Sequence, residues 1–466
     1  MIFLAIDPGS VLGLTTYEAE ILQDLLKIYS MHQVKNEEKQ RYYEGKINLN
    51  SVNLGIALPK GMQGLEIGCS WGAKCVDVLA ARSMFDGFVD MNGAAVPEIN
   101  QLVRDNNLLS EYMKTTKDEL KFGCSFATLS KDDQIGCKIR FHSPQTAAAR
   151  WDGNRGRIAY GMAIINVAPL IQRPDIIMPS VIYLYLSDTI IVLRRADDST
   201  WISEHYPHQM GRPLMEPLIW SSTSAKPLGR SRIKEPVRRL IDGYVRTIAN
   251  ASIGLEFSTA PQKYILGVTD EQFDQISADK FHQYVGSIIA ATTNPETGEK
   301  PTFGQLTQGN ISPHTEMIRI LATQFSAATG LPVTDTGVVN DANPTSSDAI
   351  LAQTQTLVSM AEDLNAGNGN TLRTIALMAL AISRNTNLEG LSDEDKDIVA
   401  HFRNPAMPSV AVTADAAIKI ASSRQGFAAT DTFLEMIGFD QADIRRIKAQ
   451  EALQRGRAVL SELDIV

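Results

Sequence analysis

The chain has 466 residues, of which 44% are hydrophobic and 21% are charged, which is ordinary for a folded protein of roughly two to four domains. Its net charge of −9 argues against the basic face of a sequence-specific DNA-binding protein, so any contact with nucleic acid should be loose. The sequence contains no run of about 18 apolar residues, so no membrane span is predicted. The apolar N-terminus lacks the basic segment of a signal peptide, so we expect cytoplasmic synthesis and reduced thiols.

The N-terminal part is predicted to be helical. Apolar residues recur at helical spacing from Tyr17 to about Glu44, from Ala73 to about Met84 and from Val96 to about Lys114. The sequence from Thr115 to Asp118 resembles a helix cap and predicts that a short turn begins there.

From about Phe122 the hydrophobic period changes to two, which predicts β-structure. Turn sequences separate the alternating segments and indicate a single antiparallel sheet. The predicted strands cover residues 138–143, 157–168, 180–186, 189–195 and 200–205. Pro213 and Pro217 mark an extended segment that crosses to the next part of the chain.

Long helices dominate the second half. A helix is predicted from Gly229 to about Glu256, and a small α+β insertion follows, with a strand at 263–268 and a helical piece around 273–281. Ser312 and the following proline predict the start of a helix that ends near Gly330, because proline is tolerated in a first turn and glycine suits the position after a helix.

A polar loop follows that helix, and a much longer helix extends from about Thr345 to Arg384. The sequence Thr345-Ser346-Ser347-Asp348 has the form of an N-terminal cap. After an acidic segment at 392–400, two helices interrupted at Gly438 complete the chain. The predicted fold class is therefore α+β.

Three short motifs suggest an enzyme. Residues 65–72 resemble the glycine turn of S-adenosylmethionine-dependent methyltransferases, with Asp86 as a ribose-binding acid, but the neighbouring elements do not alternate as such a fold requires. Asp7 lies in a segment that resembles the first strand of RNase H-like nucleases. His205 and His208 could form half of a metal site, although a turn at a strand end is the simpler interpretation.

The four cysteines, at Cys69, Cys75, Cys124 and Cys137, have spacings that match no zinc framework. We therefore expect no catalytic residue, metal or cofactor. The methyltransferase interpretation of residues 65–72 is kept as the alternative function.

Several motifs occur in a characteristic order along the chain. They are Val76–Arg82 with Asp86-Gly87-Phe88, Trp151-Asp152, Gly229–Ile233, Glu256–Gln262, Gln324-Phe325, Thr329–Pro332 and Ala342–Ile350. Their order and spacing resemble those of portal proteins of long-tailed, non-contractile bacteriophages. The resemblance covers most of the chain.

This resemblance implies a dodecameric ring at one capsid vertex, through which double-stranded DNA is packaged and ejected without sequence specificity. It implies contacts with the terminase large subunit, the major capsid and scaffolding proteins and a head completion or adaptor protein, a location in the virion, and no membrane. The implied parts are a wing (1–228), a stem helix (229–260), a clip (261–312), a second stem helix (313–332), a tunnel loop (333–344), a long wing helix (345–384) and a crown (385–466).

The resemblance also implies which residues face DNA. The candidate tunnel-loop residues are Val333, Thr334, Asp335, Thr336, Gly337, Val338, Val339, Asn340, Asp341, Ala342 and Asn343. The candidates for lining the channel or contacting a neighbouring subunit are Arg238, Arg239, Arg246 and Arg319, with Arg373 as a further cation near the loop. The loop itself contains no Lys or Arg, which departs from many portal proteins.

Overall fold

The computed structural model contains both helices and antiparallel sheets, with eight consecutive strands between two helical regions, so the predicted α+β class is confirmed. The structure describes residues 6–48, 66–91, 96–170, 175–197, 200–259, 263–266, 298, 300, 302–305, 310–338, 347–406, 410–424, 426–439 and 441–463. None of the described helices combines the length and hydropathy that a membrane span requires.

The N-terminal helices are α1 (Thr16–Glu44), α2 (Trp71–Ala80), α3 (Pro97–Asp105) and α4 (Leu108–Phe122). The single helix predicted from residue 96 to 114 is wrong, because Asn107 adopts a left-handed conformation with φ of 49° and separates α3 from α4. The predicted cap at 115–118 is also wrong. Those residues lie inside α4, where the Thr116 hydroxyl donates to the carbonyl of Tyr112.

The region predicted to form a single sheet forms two sheets. A five-stranded sheet has the order β10-β9-β8-β7-β6, and a three-stranded sheet has the order β11-β4-β5. The strands up to this point are β1 (Lys46–Asn48), β2 (Glu66–Gly68), β3 (Phe85–Asp90), β4 (Cys124–Asp132), β5 (Gly136–His142), β6 (Ala147–Asp152), β7 (Arg157–Pro169), β8 (Ile177–Tyr185), β9 (Thr189–Arg195), β10 (Trp201–Pro207) and β11 (Met215–Ile219).

The segment predicted to cross between regions is strand β11, which pairs antiparallel with β4. Pro217 lies in this strand opposite Phe126, at the edge of the sheet, where the missing N–H of proline is tolerated. The strand was not predicted because proline within a segment argues against a strand.

The next elements are α5 (Glu235–Thr259), β12 (Lys263–Leu266), β13 (Thr302–Gln305), α6 (Ser312–Thr329), a 3₁₀ turn (Val333–Thr336) and α7 (Ser347–Ser383). Helix α5 begins later than predicted, because the amides of Arg230 and Arg232 donate to the carbonyls of Trp220 and Leu120 in neighbouring segments. The predicted strand at 263–268 is confirmed as β12, whereas the helical piece at 273–281 lies outside the described residues.

The last elements are α8 (Asp393–Lys396), β14 (Ile398–Phe402), α9 (Val410–Ser423), α10 (Asp431–Ile437) and α11 (Gln441–Leu463). Strand β14 pairs antiparallel with β3, so residues 385–406 pack with the N-terminal region. The interruption at Gly438 is as predicted.

Three hydrophobic clusters hold these layers together. Helix α1 covers one face of the five-stranded sheet, and the other face packs with the three-stranded sheet, α3, α4 and the second half of α7. The third cluster joins α2, α5, α6 and the first half of α7. Helix α7, roughly 55 Å long, is therefore shared between two cores.

A buried polar network fastens α7 to α4. The Asn368 side-chain amide donates to Glu119 Oε2 at 2.8 Å and to Tyr112 Oη at 3.0 Å. Glu119 is completely buried, and this burial raises the pKa of its carboxyl to about 8. The neutral acid is thus the favoured form of Glu119 in the folded state.

This network makes stability depend on pH. The folded-state pKa of Glu119 lies above its ordinary value, so its contribution is present in acid and is lost as the pH rises through about 8. Glu119→Gln should remove that loss, which amounts to at most about 1.4 kcal/mol per pH unit between the two pKa values. Thermal denaturation of wild type and variant from pH 5 to 9 measures this loss of stability, and Glu111→Gln on the same helix is the control. Parallel profiles for wild type and Glu119→Gln would contradict the assignment.

Candidate channel-loop site

Helices α5 and α6 form an antiparallel pair that ends at the candidate loop. Helix α5 and the residues before it present an apolar stripe with a spacing of four residues, which is the spacing of one helix face. The stripe consists of Ile233, Val237, Ile241, Val245 and Ala249, all almost fully buried. Against it lie Leu321, Ala322 and Phe325 of α6. The packing holds the end of α6 at a defined place.

A buried arginine joins this pair to the rest of the subunit. Arg232 is only 6% exposed, and its guanidinium donates to the carbonyl of Cys75 in α2 and, at 2.7 Å, to that of Thr329 at the end of α6. A third N–H approaches the Met360 sulfur of α7 at 3.4 Å. Burial lowers the pKa of Arg232, yet an arginine side chain stays charged in a protein. Its charge suits the negative C-terminal end of α6.

The end of α6 is closed by Gly330, which has a φ of 70° and donates its amide to the carbonyl of Ser326 at 2.8 Å. A Cβ at residue 330 would lie 2.8 Å from the terminal carbon of Met360, so α7 packs directly over this turn. The Ser326 hydroxyl donates to the carbonyl of Leu331 at 2.6 Å. The exit of the chain from α6 is thereby determined by local contacts.

The first half of the candidate loop is anchored as a 3₁₀ turn. The Trp71 indole N–H donates to the carbonyl of Thr336 at 3.1 Å, and this contact is buried. The Trp71 ring itself packs against Tyr244 of α5 and Phe325 of α6, with centroid distances of 4.7 and 4.9 Å. One tryptophan therefore connects the turn to both helices of the pair.

The candidate loop residues differ in their exposure to solvent. Thr334 and Gly337 are exposed, whereas Val333, Asp335 and Val338 are half-buried. Thr336 is buried, and its hydroxyl donates to the carbonyl of Val333. In this subunit conformation its side chain is therefore not available to DNA. The remaining candidates, Val339, Asn340, Asp341, Ala342 and Asn343, lie outside the described residues.

The candidate arginines also differ. Arg238 is half-buried and contacts groups of its own subunit, donating to the carbonyl of Ile233 at 3.1 Å and pairing with Glu38 at 3.5 Å. That it lines a channel or contacts a neighbouring subunit stays a prediction. Arg239 pairs with Glu235 one turn away, and Arg319 approaches Glu316 at 3.8 Å.

Arg246 is exposed on α5. Arg373 donates to the carbonyls of Lys396 and Ile398 and thus attaches α7 to the start of β14. Sequence inspection did not identify Trp71 and Arg232 as anchors of the loop. Arg232 belongs to the Gly229–Ile233 motif, but the sequence does not show that this arginine is buried.

The residues of the methyltransferase motif have structural roles. Strands β1 and β2 form an antiparallel pair, whereas the cofactor turn requires parallel βα units. A Cβ at Gly72 would lie 2.0 Å from the carbonyl of Tyr42, so this glycine permits α2 to pack against the end of α1. Asp86 pairs with Arg403 at 3.3 Å.

The other enzyme motifs have local explanations as well. Asp7 accepts a hydrogen bond from the amide of Gly9 and caps a 3₁₀ turn at 8–10. His205 Nε2 lies 3.1 Å from Glu18, while the amide of His208 donates to the carbonyl of Asp188. Within the described ranges, no three His, Cys, Asp or Glu side chains form a group that could hold a metal ion. The four cysteines are buried free thiols whose pKa values are raised by burial.

The tryptophan anchor can be tested directly. Trp71→Phe keeps an aromatic ring but removes the donor to the carbonyl of Thr336, which should destabilise the turn by about 1 kcal/mol. Hydrogen exchange in peptides that span residues 330–338 should then become roughly fivefold faster. Trp201→Phe, which changes a buried tryptophan in β10, serves as the control. Unchanged exchange at 330–338 in Trp71→Phe would contradict the anchoring role.

Comparisons with known proteins locate the chain among phage proteins. The portal protein of Mycobacterium phage D29 is 25% identical over 431 residues, which cover 88% of this chain and 84% of that protein. The portal protein of Mycobacterium phage L5 is 25% identical over 429 residues, with the same shares covered. No protein-family model matches the chain.

Solved structures give a looser likeness. Chains in the virion of a native gene transfer agent particle and in its neck with C12 symmetry align with 79% of this chain and 89% of their own length. Their TM-scores are 0.46 and 0.47 at 12% and 11% identity, and a likeness of this size carries no argument about function. The sequence similarity along most of the chain confirms the resemblance predicted above, and the chain is a relative of phage portal proteins.

Proposed function

We propose that this chain is a phage portal protein, the subunit of a ring through which double-stranded DNA enters and leaves the capsid at one vertex. The observation that carries the proposal is the similarity to two phage portal proteins over 88% of the chain. Because the similarity covers most of this chain and 84% of each relative, the proposal applies to the chain as a whole rather than to one segment.

Within this proposal, each part of the fold has a position in the ring. Helices α5 and α6 are the stem, the turn and loop at 333–344 face the channel, and α7 spans from the stem to the wing. The wing comprises residues 1–228 with 385–406, the clip comprises 261–312, and the crown comprises the C-terminal helices after about 406. The inclusion of 385–406 in the wing follows from the pairing of β14 with β3.

The chemistry of the loop suits a conduit. Each phosphate that Lys or Arg neutralises adds affinity for DNA, and strong affinity would slow the movement of DNA through a ring. Val333–Pro344 contains no Lys or Arg. Helices anchored by Trp71 and Arg232 would hold twelve such loops at a common radius, so the width of the passage would come from packing rather than from adhesion to DNA.

The proposed protein is not an enzyme. Its partners would be a second copy of itself, the terminase large subunit that drives packaging, capsid and scaffolding proteins, and the head completion or adaptor protein that follows. Arg239, Arg246 and Arg319 are exposed on the stem, and together with the half-buried Arg238 they remain candidates for the channel wall or a neighbouring subunit. No observation favours the methyltransferase alternative.

The assembly state tests the proposal. The purified chain should form a closed ring, which for twelve subunits of 51.0 kDa has a mass of about 0.6 MDa by native mass spectrometry. Isothermal titration with S-adenosylmethionine should show no binding. A stable 51 kDa monomer that binds this cofactor would contradict the proposal and support the alternative.

A further inference from the structure

A cleft of about 750 Å³ lies between helix α1 and the segment that leads into α5. Its floor is apolar and includes Phe122 and Phe126. Seven side chains that are cationic or can become so line it: His32, Lys35, Lys39, Lys226, Arg230, Lys234 and Arg238. One acid, Glu235, lines it as well.

Four of these cations have no acidic partner in the part of the subunit that the structure describes. Among the described residues, no carboxylate lies within ion-pair distance of Lys35, Lys226, Arg230 or Lys234, and all four are exposed. Two acids at the cleft are already paired, because Glu235 contacts Arg239 and Glu38 contacts Arg238. The positive charge is therefore available to a ligand.

Inside the cleft, the positive groups repel one another. Lys39 donates to the carbonyl of Phe122 at 3.0 Å rather than to an acid, and its pKa is lowered by burial and then by Arg238 and Lys35. The pKa of His32 is lowered by burial and by the charges of Lys39 and Lys35. An anion that entered the cleft would relieve this repulsion.

The shape of the cleft favours a peptide over a nucleic acid. Its volume is in the range of pockets that enclose small ligands or short segments, and a DNA duplex, whose major groove alone is about 12 Å wide, cannot enter it. The exposed cations around the cleft suit an acidic segment. The chemistry therefore points to an acidic stretch of protein.

The chain presents such a stretch in the turn around α8. Glu389, Asp393, Glu394 and Asp397 are exposed there, and no ion pair within the described residues involves them. The turn is rigidly held, since Ser392 caps α8 and Asp395 pairs with Arg384 at 2.7 Å. Its charge is opposite to that of the cleft.

One subunit cannot bring its own cleft and acidic turn together. Arg232, which lies between the cleft residues Ser231 and Ile233, contacts Met360 of α7, whereas Arg384, just after the end of the same helix, contacts the acidic turn. Met360 and Arg384 are roughly 35 Å apart along the helix axis. A pair of complementary patches at separate places on one subunit is what a head-to-tail ring contact requires.

We propose that the cationic cleft of one subunit receives the acidic turn 389–397 of the neighbouring subunit. This inference rests on the proposed ring, and it specifies which surfaces meet in that ring. The contact is heterologous, with a different surface on each side, so repetition closes a ring instead of a two-fold dimer. Several charge pairs act together at each contact, and they should weaken with added salt.

A charge swap tests the contact. Lys35→Glu with Lys234→Glu should raise the protein concentration needed for half-maximal ring assembly by roughly tenfold or more, because attractive pairs become repulsive. Asp393→Lys with Glu394→Lys should have the same effect. Combining the four substitutions in one chain should restore assembly, which mass photometry across a dilution series measures.

The control is Lys74→Glu with Arg424→Glu, which changes the net charge of the subunit by the same amount at exposed positions outside the cleft. It should assemble like wild type. Circular dichroism establishes that each variant is folded, and the restored assembly of the combined variant excludes misfolding as the cause of the separate defects.

Three outcomes would overturn the contact. The first is that the cleft variant assembles like wild type, and the second is that the combined variant fails to recover assembly. The third is that the cleft variant forms intact rings but loses binding to a 20-base-pair duplex, which would assign the cleft to DNA. In each case wild-type rings would leave the proposed portal function standing. A wild-type chain that forms no ring would overturn both proposals.

Discussion

The buried guanidinium of Arg232 is the contact on which the arrangement of this subunit depends. This group is 6% exposed and has no carboxylate partner among the described residues, and such a buried charge is costly unless its N–H groups find acceptors. Two of its acceptors are the carbonyl of Cys75 within α2 and that of Thr329 at the end of α6, where the helix dipole is negative. Together with Trp71, this side chain ties α6, and therefore the loop that follows it, to the N-terminal layer.

Helix α7 carries that connection through the molecule. Its first half packs with α5 and α6, and its second half packs with the two large sheets, so a shift at the loop end must be absorbed by both cores. Asn368 and Glu119 add a buried polar bond in the middle of the helix. Close-packed interiors transmit such displacements rather than damping them. The fold thus suits a part that has to hold a narrow passage in register with an outer layer.

Local patterns predicted the helices well and the tertiary pairings poorly. The start and end of α6 followed from Ser312, its adjacent proline and Gly330, whose effects are local. The division of the strands into two sheets was not predictable, because strand periodicity does not reveal which strand pairs with which. Nor could the sequence show that β11 pairs through Pro217, or that the amide of Asn106 bridges α3 to β5 and favours a break between α3 and α4.

The same contrast between local patterns and tertiary contacts applies to the candidate site. The loop between two helices was visible from turn and cap residues, whereas the burial of Thr336 depends on Trp71, 265 positions away.

The most direct test of the account is a cryo-electron microscopy reconstruction of the purified chain. It should show a ring whose narrowest point is formed by residues between Val333 and Asn343, with Trp71 packed behind them. A ring that carries these residues on its outer surface would contradict the account.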